Sequence, residues 1–381
     1  MNIPRTIIAA VVVLSAFCGI NFYIARRLYQ WLGLLSLNMN VKVFAGIYIL
    51  LAISLLFGFL PLPPGVRSVF AWIGAYWIGI FVYLLIFTLI SDVSLFLGSA
   101  VRIVPNPTPQ SALFFKGLFT VLLTAGVVCY GMFNAGHIKH VSYDILQENA
   151  SLSGLRIVMI SDTHLGAVGL TDRNLERIVE SVNALEPDIV CITGDIFNDD
   201  IATIRDSGGT ATRLRSIEST YGVYACLGNH DGGLTLERMI SFLEDCNITL
   251  LKDEYEIIDS RLALFGRLDS SPIGGSGGFR RRDISDTIAS IGAEFPVVVM
   301  EHNPSHIGEY GADVLLILSG HTHRGQMYPG SLVTRAIFTA DYGHYRKDSE
   351  SPHVIVTSGV STWGPPMRVG TNNEIVSIIL R

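Results

Sequence analysis

Residues 188–195 read Asp-Ile-Val-Cys-Ile-Thr-Gly-Asp, an apolar run of strand length that closes on a glycine and a carboxylate. A short β-branched run closed by glycine is typical of a buried strand. Ligands of open α/β sheets bind at the carboxyl ends of the strands, so Asp195 stands where a binding site is expected. One such aspartate is a weak sign, because an aspartate after a strand is usually a turn or capping residue.

Four other predicted strands end in the same way, each followed by residue types that bind metals. These residues are Asp162 and His164 after strand 157–160, Asn229 and His230 after 223–227, His302 after 297–300, and His321 and His323 after 314–318. The five strand ends together predict one shared site with Asp195 at its centre. Mixed carboxylate and imidazole ligands suit Mn, Fe or Zn. Two ions about 3.5–4 Å apart are the recurring arrangement in phosphoryl hydrolysis.

The composition divides the chain into two parts. Of its 381 residues, 49% are hydrophobic and only 16% are charged, which is too apolar for an average soluble protein. The charges are sparse up to about residue 135, and nearly all Asp, Glu and His lie beyond it. The net charge of −6 argues against a nucleic-acid partner, since nucleic-acid-binding proteins are usually basic.

The apolar part predicts a membrane domain over residues 1–136. Its segments 6–25, 43–60, 68–90 and 113–133 are long enough, or nearly so, to span a bilayer. The first segment lacks an obvious small-residue cleavage site and more apolar segments follow it, so an anchor is favoured over a signal peptide. The segments carry few ionisable groups at mid-membrane depth, which favours an anchor over a transport or sensing role.

The positive-inside rule favours the odd-numbered loops in the cytoplasm by about two charges, which places the C-terminal domain on the extracytoplasmic side. Residues 137–153 are predicted to be a polar connector. From residue 154 to 381, predicted strands alternate with amphipathic helices, the pattern of a layered α/β fold. Helices are expected over 171–186, 201–219, 234–246 and 283–291, the second of them interrupted at Ser207-Gly208-Gly209.

The ordered motifs D-x-H, G-D, G-N-H-D, a lone His and G-H-x-H, from residue 154 onward, resemble those of the calcineurin-like metallophosphoesterases. Residues 319–326 (S-G-H-T-H-R-G-Q) and 359–370 (G-V-S-T-W-G-P-P-M-R-V-G) resemble the membrane-anchored bacterial branch, which includes proteins called transmembrane protein with metallophosphoesterase domain. The resemblance implies a four-layer α-β-β-α sandwich. The whole chain is then an α/β protein whose sandwich follows a bundle of four transmembrane helices.

The resemblance also implies two divalent metal ions, Mn before Fe or Zn. One would be held by Asp162, His164, Asp195 and His323, and the other by Asp195, Asn229, His302 and His321. His230 would face the substrate and stabilise charge or protonate the leaving oxygen. Many relatives carry an aspartate three residues after Asp195 to orient this histidine. Here that position is Asn198, so either Asn198 or Asp199 is expected to take the role.

The site and the spans together predict a membrane-anchored hydrolase of phosphodiester or pyrophosphate bonds. Lipid-linked or envelope substrates are expected, such as UDP-diacylglucosamine-like glycolipids or phospholipids. Arg280, Arg281 and Arg282 follow a glycine-rich stretch and are either a solvated charge run or a lid that holds an anionic group. The alternatives are a phosphoprotein phosphatase or membrane signalling protein, and a non-catalytic metal-binding module. The sequence predicts no oligomeric state.

Overall fold

The computed structural model describes residues 3–37, 39–57, 60, 63–147 and 149–381. The chain forms two compact units, residues 1–130 and 131–381. The sequence analysis placed this boundary at residue 136. The difference arises because the last turn of an apolar helix, residues 131–135, packs with the C-terminal unit.

The first unit is built from apolar helices: α1 (Ile3–Leu34), α2 (Val41–Phe57), α3 (Pro64–Ala100) and most of α4 (Gln110–Ala135). Among the described residues, three stretches are long and apolar enough to cross a membrane, namely Ile7–Leu34, Gly65–Ala100 and Gln110–Ala135. Helix α2 is apolar but shorter. The predicted segments 6–25, 68–90 and 113–133 lie within α1, α3 and α4. Segment 43–60 overlaps α2, and its residues 58 and 59 lie outside the described residues.

An ion cluster joins three of these helices. Arg27 Nη2 of α1 lies 2.6 Å from Asp92 Oδ2 of α3, and Lys116 of α4 contacts Asp92 Oδ1. A charge in an apolar segment is costly unless it is paired. The cluster therefore stabilises the packing of α1, α3 and α4 against one another.

The second unit contains two mixed six-stranded sheets. The first sheet has the order β1 (Ile138–Ile145), β12 (Asn373–Leu380), β2 (Arg156–Ile160), β3 (Ile189–Thr193), β4 (Val223–Cys226), β5 (Ile248–Leu250). The second has the order β10 (Gly343–Tyr345), β11 (His353–Val356), β9 (Leu316–Ser319), β8 (Val297–Met300), β7 (Leu262–Gly266), β6 (Glu254–Ile258). Strands β2 to β5 are parallel, as are β7, β8, β9 and β11.

Strand β2 shows why the central strands are apolar throughout. Ile157 and Met159 belong to a core cluster that contains residues of both sheets. Val158 and Ile160 point to the opposite face, into the cluster formed with helices α5 (Asp172–Asn183), α6 (Ser207–Arg215) and α7 (Leu236–Asp245). Because successive side chains of a strand alternate between faces, a strand buried on both faces is apolar at its interior positions, and the polar residues of β2 and β3 are the end residues Arg156 and Thr193.

The second sheet packs its other face against helix α8 (Ser285–Gly292), and the short helix α9 (Gly330–Ile337) follows β9. Two elements differ from the sequence analysis. The segment predicted to be a polar connector contains β1, which pairs in parallel with β12. In place of the predicted helix 201–219, the structure has a short 3₁₀ helix, Ile201–Thr203, followed by α6. Helix α6 begins at Ser207 because the Asp206 carboxylate accepts a hydrogen bond from Gly209 N and caps it. The predicted interruption at 207–209 is therefore wrong, since these residues form the first turn of α6.

Candidate metal centre

The residues that the sequence singled out lie at one edge of the two sheets. Strands β2, β3 and β4 are parallel neighbours in the first sheet, and β8 and β9 are parallel neighbours in the second. Their carboxyl ends therefore lie side by side within each sheet. The loops that follow them carry all seven predicted metal ligands.

One group of ligand atoms comes from β2 and β9. His164 Nε2 is 3.2 Å from His323 Nε2, and His323 Nε2 is 3.4 Å from Asp162 Oδ1. The three side chains are buried, and one ligand atom from each lies within 4.8 Å of the other two. Asp162 and His164 have no exposed surface. Such a set of converging donors is large enough to hold one ion.

A second group comes from β3, β4, β8 and β9. His302 Nε2 lies 3.2 Å from Asp195 Oδ1, and His321 completes a second set of donor atoms within 4.8 Å of one another. The amide oxygen of Asn229 adds a neutral donor, 2.7 Å from His321 Nδ1 and 3.3 Å from His302 Nε2. The sequence analysis divided the ligands between two ions in this same way.

Asp195 lies between the two groups. Its Oδ1 faces His302, and its Oδ2 is 3.8 Å from His164 Nε2 in the first group. The backbone N–H of His230 donates to Oδ1 at 2.8 Å and fixes the carboxylate. A carboxylate with one oxygen toward each group can bridge two cations.

The charge state of the side chains fits divalent cations. Burial lowers the pKa of His164 and of His321 to about 4, so both rings are neutral and have a lone pair to give. His302 differs, because the charge of Asp195 outweighs burial and raises its pKa. Burial raises the pKa of Asp162 to about 6, because its carboxylate has been taken out of water. Imidazole and carboxylate groups whose donor atoms converge are the ligands that bind Mn, Fe and Zn in proteins.

Two glycines allow the strand ends to approach this closely. Gly194 has a φ of +79°, a conformation that side chains other than glycine rarely adopt. A Cβ atom at Gly228 would lie 2.2 Å from Asp195 Oδ1. The glycines of the G-D and G-N-H-D motifs are therefore required by the geometry of the site.

His230 stands beside the two groups with its ring held by Asp199. His230 Nδ1 lies 2.6 Å from Asp199 Oδ1, so Asp199 takes the orienting position that the sequence left open between Asn198 and Asp199. Burial alone would lower the pKa of His230, but the hydrogen bond to Asp199 and the charge of Asp195 raise it above its usual value. The ring therefore holds a proton more readily than a free histidine.

Replacing Asp199 with asparagine is expected to lower kcat about tenfold. A charge-assisted hydrogen bond is worth about 1.5–3 kcal/mol, and the 42% exposure of the Asp199 side chain places the loss at the lower end. The matched control is Asp200→Asn, which removes the adjacent charge but keeps an oxygen to cap the backbone N–H of Ala202. Equal activity of the two variants in steady-state kinetics would contradict the orienting role.

Two buried residues support the site in roles that the sequence motifs did not predict. The Asp231 carboxylate accepts hydrogen bonds from the backbone N–H groups of Ile196, Phe197 and Gly228, at 2.7–3.0 Å, and so ties the loop after β3 to the loop after β4. Arg368 has no exposed surface and donates to His323 O at 2.9 Å. It therefore fixes the backbone of a candidate ligand.

The three predicted substrate-binding arginines have different environments. Arg281 makes a bidentate pair with the buried Glu301 at 3.0 and 2.7 Å and also contacts Glu309 at 2.8 Å. Arg282 donates to the backbone oxygen of Asp253 at 2.7 Å. Arg281 and Arg282 therefore hold protein groups, whereas Arg280 is exposed.

Trp363 lies beside His230, with 5.5 Å between the ring centroids, and its side chain is half exposed. Its backbone is fixed by Gln326, which accepts from Trp363 N and donates to Trp363 O and Pro365 O, each at 2.9 Å. The turn is therefore held firmly, and it presents the indole next to the candidate catalytic histidine.

Comparison with known proteins identifies the same family as the sequence motifs do. Residues 155–325 match the model of the calcineurin-like phosphoesterases. The chain is 30% identical over 288 residues to a transmembrane protein with metallophosphoesterase domain from Danio rerio, covering 71% of this chain and 64% of the relative. It is also 30% identical over 229 residues to an uncharacterized metallophosphoesterase from Aquifex aeolicus, covering 60% of this chain and 85% of the relative.

A solved structure of a dimetal phosphatase from Danio rerio aligns with a TM-score of 0.33 and 13% identity, over 54% of this chain and 87% of the other. The chain spans less than two thirds of the length of the Danio rerio transmembrane relative.

Proposed function

Since the chain belongs to the calcineurin-like metallophosphoesterase family, we propose that it is a membrane-anchored, two-metal hydrolase of phosphodiester or pyrophosphate bonds. The observation that carries the proposal is the meeting of two groups of buried donor atoms at Asp195. A bridging carboxylate between two such groups suits the two-ion clamp of phosphoryl hydrolysis.

The residues would hold the ions as follows. Asp162, His164 and His323 would bind one ion, Asn229, His302 and His321 the other, and Asp195 both. When bound, two divalent ions polarise a phosphoryl group and supply a water nucleophile at neutral pH. We propose Mn²⁺ as the resident metal, with Fe or Zn as the alternatives, because the donors combine carboxylate, amide and imidazole groups.

His230 would act on the substrate itself. Its Nδ1 is engaged by Asp199, which leaves Nε2 to face the reacting group. With its pKa raised, the ring can carry a proton to the leaving oxygen or stabilise the negative charge that develops on the phosphoryl group. Asn229, on the adjacent position, would hold both an ion and a phosphoryl oxygen.

The proposed substrates are phosphoryl compounds linked to lipid, such as UDP-diacylglucosamine-like glycolipids or phospholipids. The support is that the described part of the chain contains three apolar helices long enough to span a bilayer. The exposed indole of Trp363 beside His230 gives a surface for an apolar or aromatic part of such a molecule, and Arg280 gives a cation for a second phosphate.

We further propose that α1 to α4 all cross the membrane, that the catalytic unit lies on the extracytoplasmic side, and that its layers follow the order α-β-β-α. The balance of positive charges between the loops supports the orientation. The core clusters on the outer faces of both sheets support the layer order.

A membrane-impermeant thiol reagent, applied to intact cells carrying Glu176→Cys, tests the orientation. Labelling without permeabilisation is expected, and labelling only after it would contradict the proposal.

The test of the function uses full-length protein purified in detergent and stripped with a chelator. Bis(p-nitrophenyl) phosphate hydrolysis is expected to return on addition of Mn²⁺ and to exceed the hydrolysis of a phosphoserine peptide under the same conditions. Preference for the phosphopeptide would favour a phosphoprotein phosphatase instead. If the protein binds metal but hydrolyses neither compound and no lipid diester, the remaining interpretation is a non-catalytic metal-binding module.

A further inference from the structure

Helix α9 presents its apolar residues to solvent, whereas its Thr334 side chain faces the protein. Leu332, Val333 and Ile337 are 53%, 58% and 67% exposed, and Ala336 is exposed beside them. At spacings of one and four residues, these four side chains form one continuous strip, the apolar face of α9. Thr334, on the other side, is partly buried and donates to Asp341 Oδ2 at 3.0 Å.

This arrangement is the reverse of that in a surface helix of a soluble protein, where the apolar stripe packs on the core. A contiguous exposed apolar strip on such a helix marks a surface that another apolar phase covers. The hydrogen bond of Thr334 to Asp341 fixes which side faces inward, so the apolar face of α9 cannot turn into the core without leaving Thr334 and Asp341 unpaired.

The chain itself indicates what covers this face. Helix α4, one of the three candidate spans, ends at Ala135, and its last turn, residues 131–135, belongs to the second unit. Gly131 O accepts from Arg368 N at 2.9 Å, and Asn134 donates to Thr371 O at 2.7 Å. The end of a candidate span is thus hydrogen-bonded to the segment 368–371.

That same segment leads to α9. The backbone N–H of Tyr328 donates to Val369 O at 2.8 Å, and Tyr328 lies two residues before α9 begins. The C-terminal end of α4 therefore lies close to the start of α9. The exposed side chains here are those that favour the membrane interface: tyrosine at position 328, aliphatic residues on the apolar face, and Arg335 beside them to reach anionic headgroups.

We propose that the apolar face of α9 lies in the interfacial layer of the lipid bilayer and holds the metal centre at the membrane surface. Helix α9 follows the G-H-x-H motif by only a few residues, so a helix seated in the interface would fix the site next to lipid headgroups. The consequence for substrate choice rests on the proposed function. A site held next to the headgroups selects phosphoryl groups carried by lipids over those of soluble compounds.

The contact is tested by lipid quenching of a fluorophore at position 337. Ile337→Cys is introduced with Cys18→Ser and Cys129→Ser, which remove the two exposed cysteines, and the labelled full-length protein is reconstituted in vesicles of phosphatidylcholine and phosphatidylglycerol. Lipids with a nitroxide near the headgroup are expected to quench this label. A label at the exposed Glu176 of α5, the matched control, should remain unquenched.

Equal quenching at the two positions, or quenching at 337 only by aqueous iodide, would overturn the proposal. Crosslinking between labels at position 337 of two molecules would also overturn it, because a second copy would then cover the face. Quenching does not depend on catalysis, so it is readable even if the enzyme proposal fails.

A second measurement addresses substrate choice. The double variant Leu332→Asn/Ile337→Asn is expected to hydrolyse bis(p-nitrophenyl) phosphate as the wild type does, since neither residue belongs to the metal centre. Its hydrolysis of phosphatidylglycerol in vesicles should fall about tenfold or more, because apolar area no longer enters the interface. An equal fall for both substrates would contradict a membrane role for α9. Wild-type inactivity toward both would count against the proposed function alone.

Discussion

Replacing Asp195 with asparagine is expected to reduce kcat for bis(p-nitrophenyl) phosphate by about a thousandfold and to leave one bound ion or none. Asp195 gives one oxygen to each group of donors, and an amide has only one oxygen and no charge. Loss of metal-based stabilisation worth several kcal/mol corresponds to this factor. Elemental analysis after gel filtration measures the metal, and steady-state kinetics measures the rate.

The charge-matched control for this variant is Asp200→Asn. The Asp200 carboxylate caps the short helix at residues 201–203 and belongs to neither group of donor atoms. It should retain two ions and near wild-type activity. An Asp195→Asn protein that keeps two ions and more than about a tenth of the wild-type rate would remove Asp195 from the centre of the site.

Replacing His230 with alanine is expected to lower kcat by roughly 10²- to 10⁴-fold, the range for loss of a general acid or base, with both ions retained. The His230 side chain lies beside the two donor groups, and only its backbone N–H contacts Asp195, a contact that alanine preserves. Metal content therefore separates this variant from Asp195→Asn.

The leaving group distinguishes the two roles proposed for His230. A p-nitrophenolate leaves without much help from a proton, whereas an alkoxide needs one. If His230 protonates the leaving oxygen, the loss in His230→Ala should be larger for a dialkyl diester than for the aryl diester. An equal loss would assign the ring to charge stabilisation, and a loss of less than about threefold for both would contradict any catalytic role.

The central strands could be predicted from the sequence because burial on both faces gives runs of four apolar residues, as at 157–160 in β2 and 189–192 in β3. The family assignment is confirmed by the comparisons. The motifs were readable because metal-ligand residues stand at short, fixed distances after those strands. Their proposed roles as ligands rest on the resemblance and the geometry together.

Other features depend on sheet position and backbone conformation, which the local sequence does not specify. Strand β1 looked like a connector because it lies at a sheet edge and its exposed positions carry polar residues. Helix α9 was not predicted because it begins with Gly-Ser and its apolar residues are not arranged to face a core. Asn198 and Asp199 could not be separated by spacing, since the left-handed conformation of Asp199, with a φ of +64°, decides which of them meets His230.

Long-range contacts explain the remaining differences. Arg368 lies 45 residues from His323, whose backbone it holds, and nothing in the local sequence indicates that contact. Arg281 looked available in a polar, glycine-rich stretch, but its partners Glu301 and Glu309 come from a distant part of the chain.

The most direct test of the account is a crystal structure of the full-length protein with Mn²⁺, with anomalous diffraction recorded at the manganese absorption edge. We expect two anomalous peaks about 3.5–4 Å apart, one beside His164 and His323 and one beside His302 and His321, with the Asp195 carboxylate between them. A single peak, or two peaks that Asp195 does not bridge, would contradict the two-metal centre on which the proposed function rests.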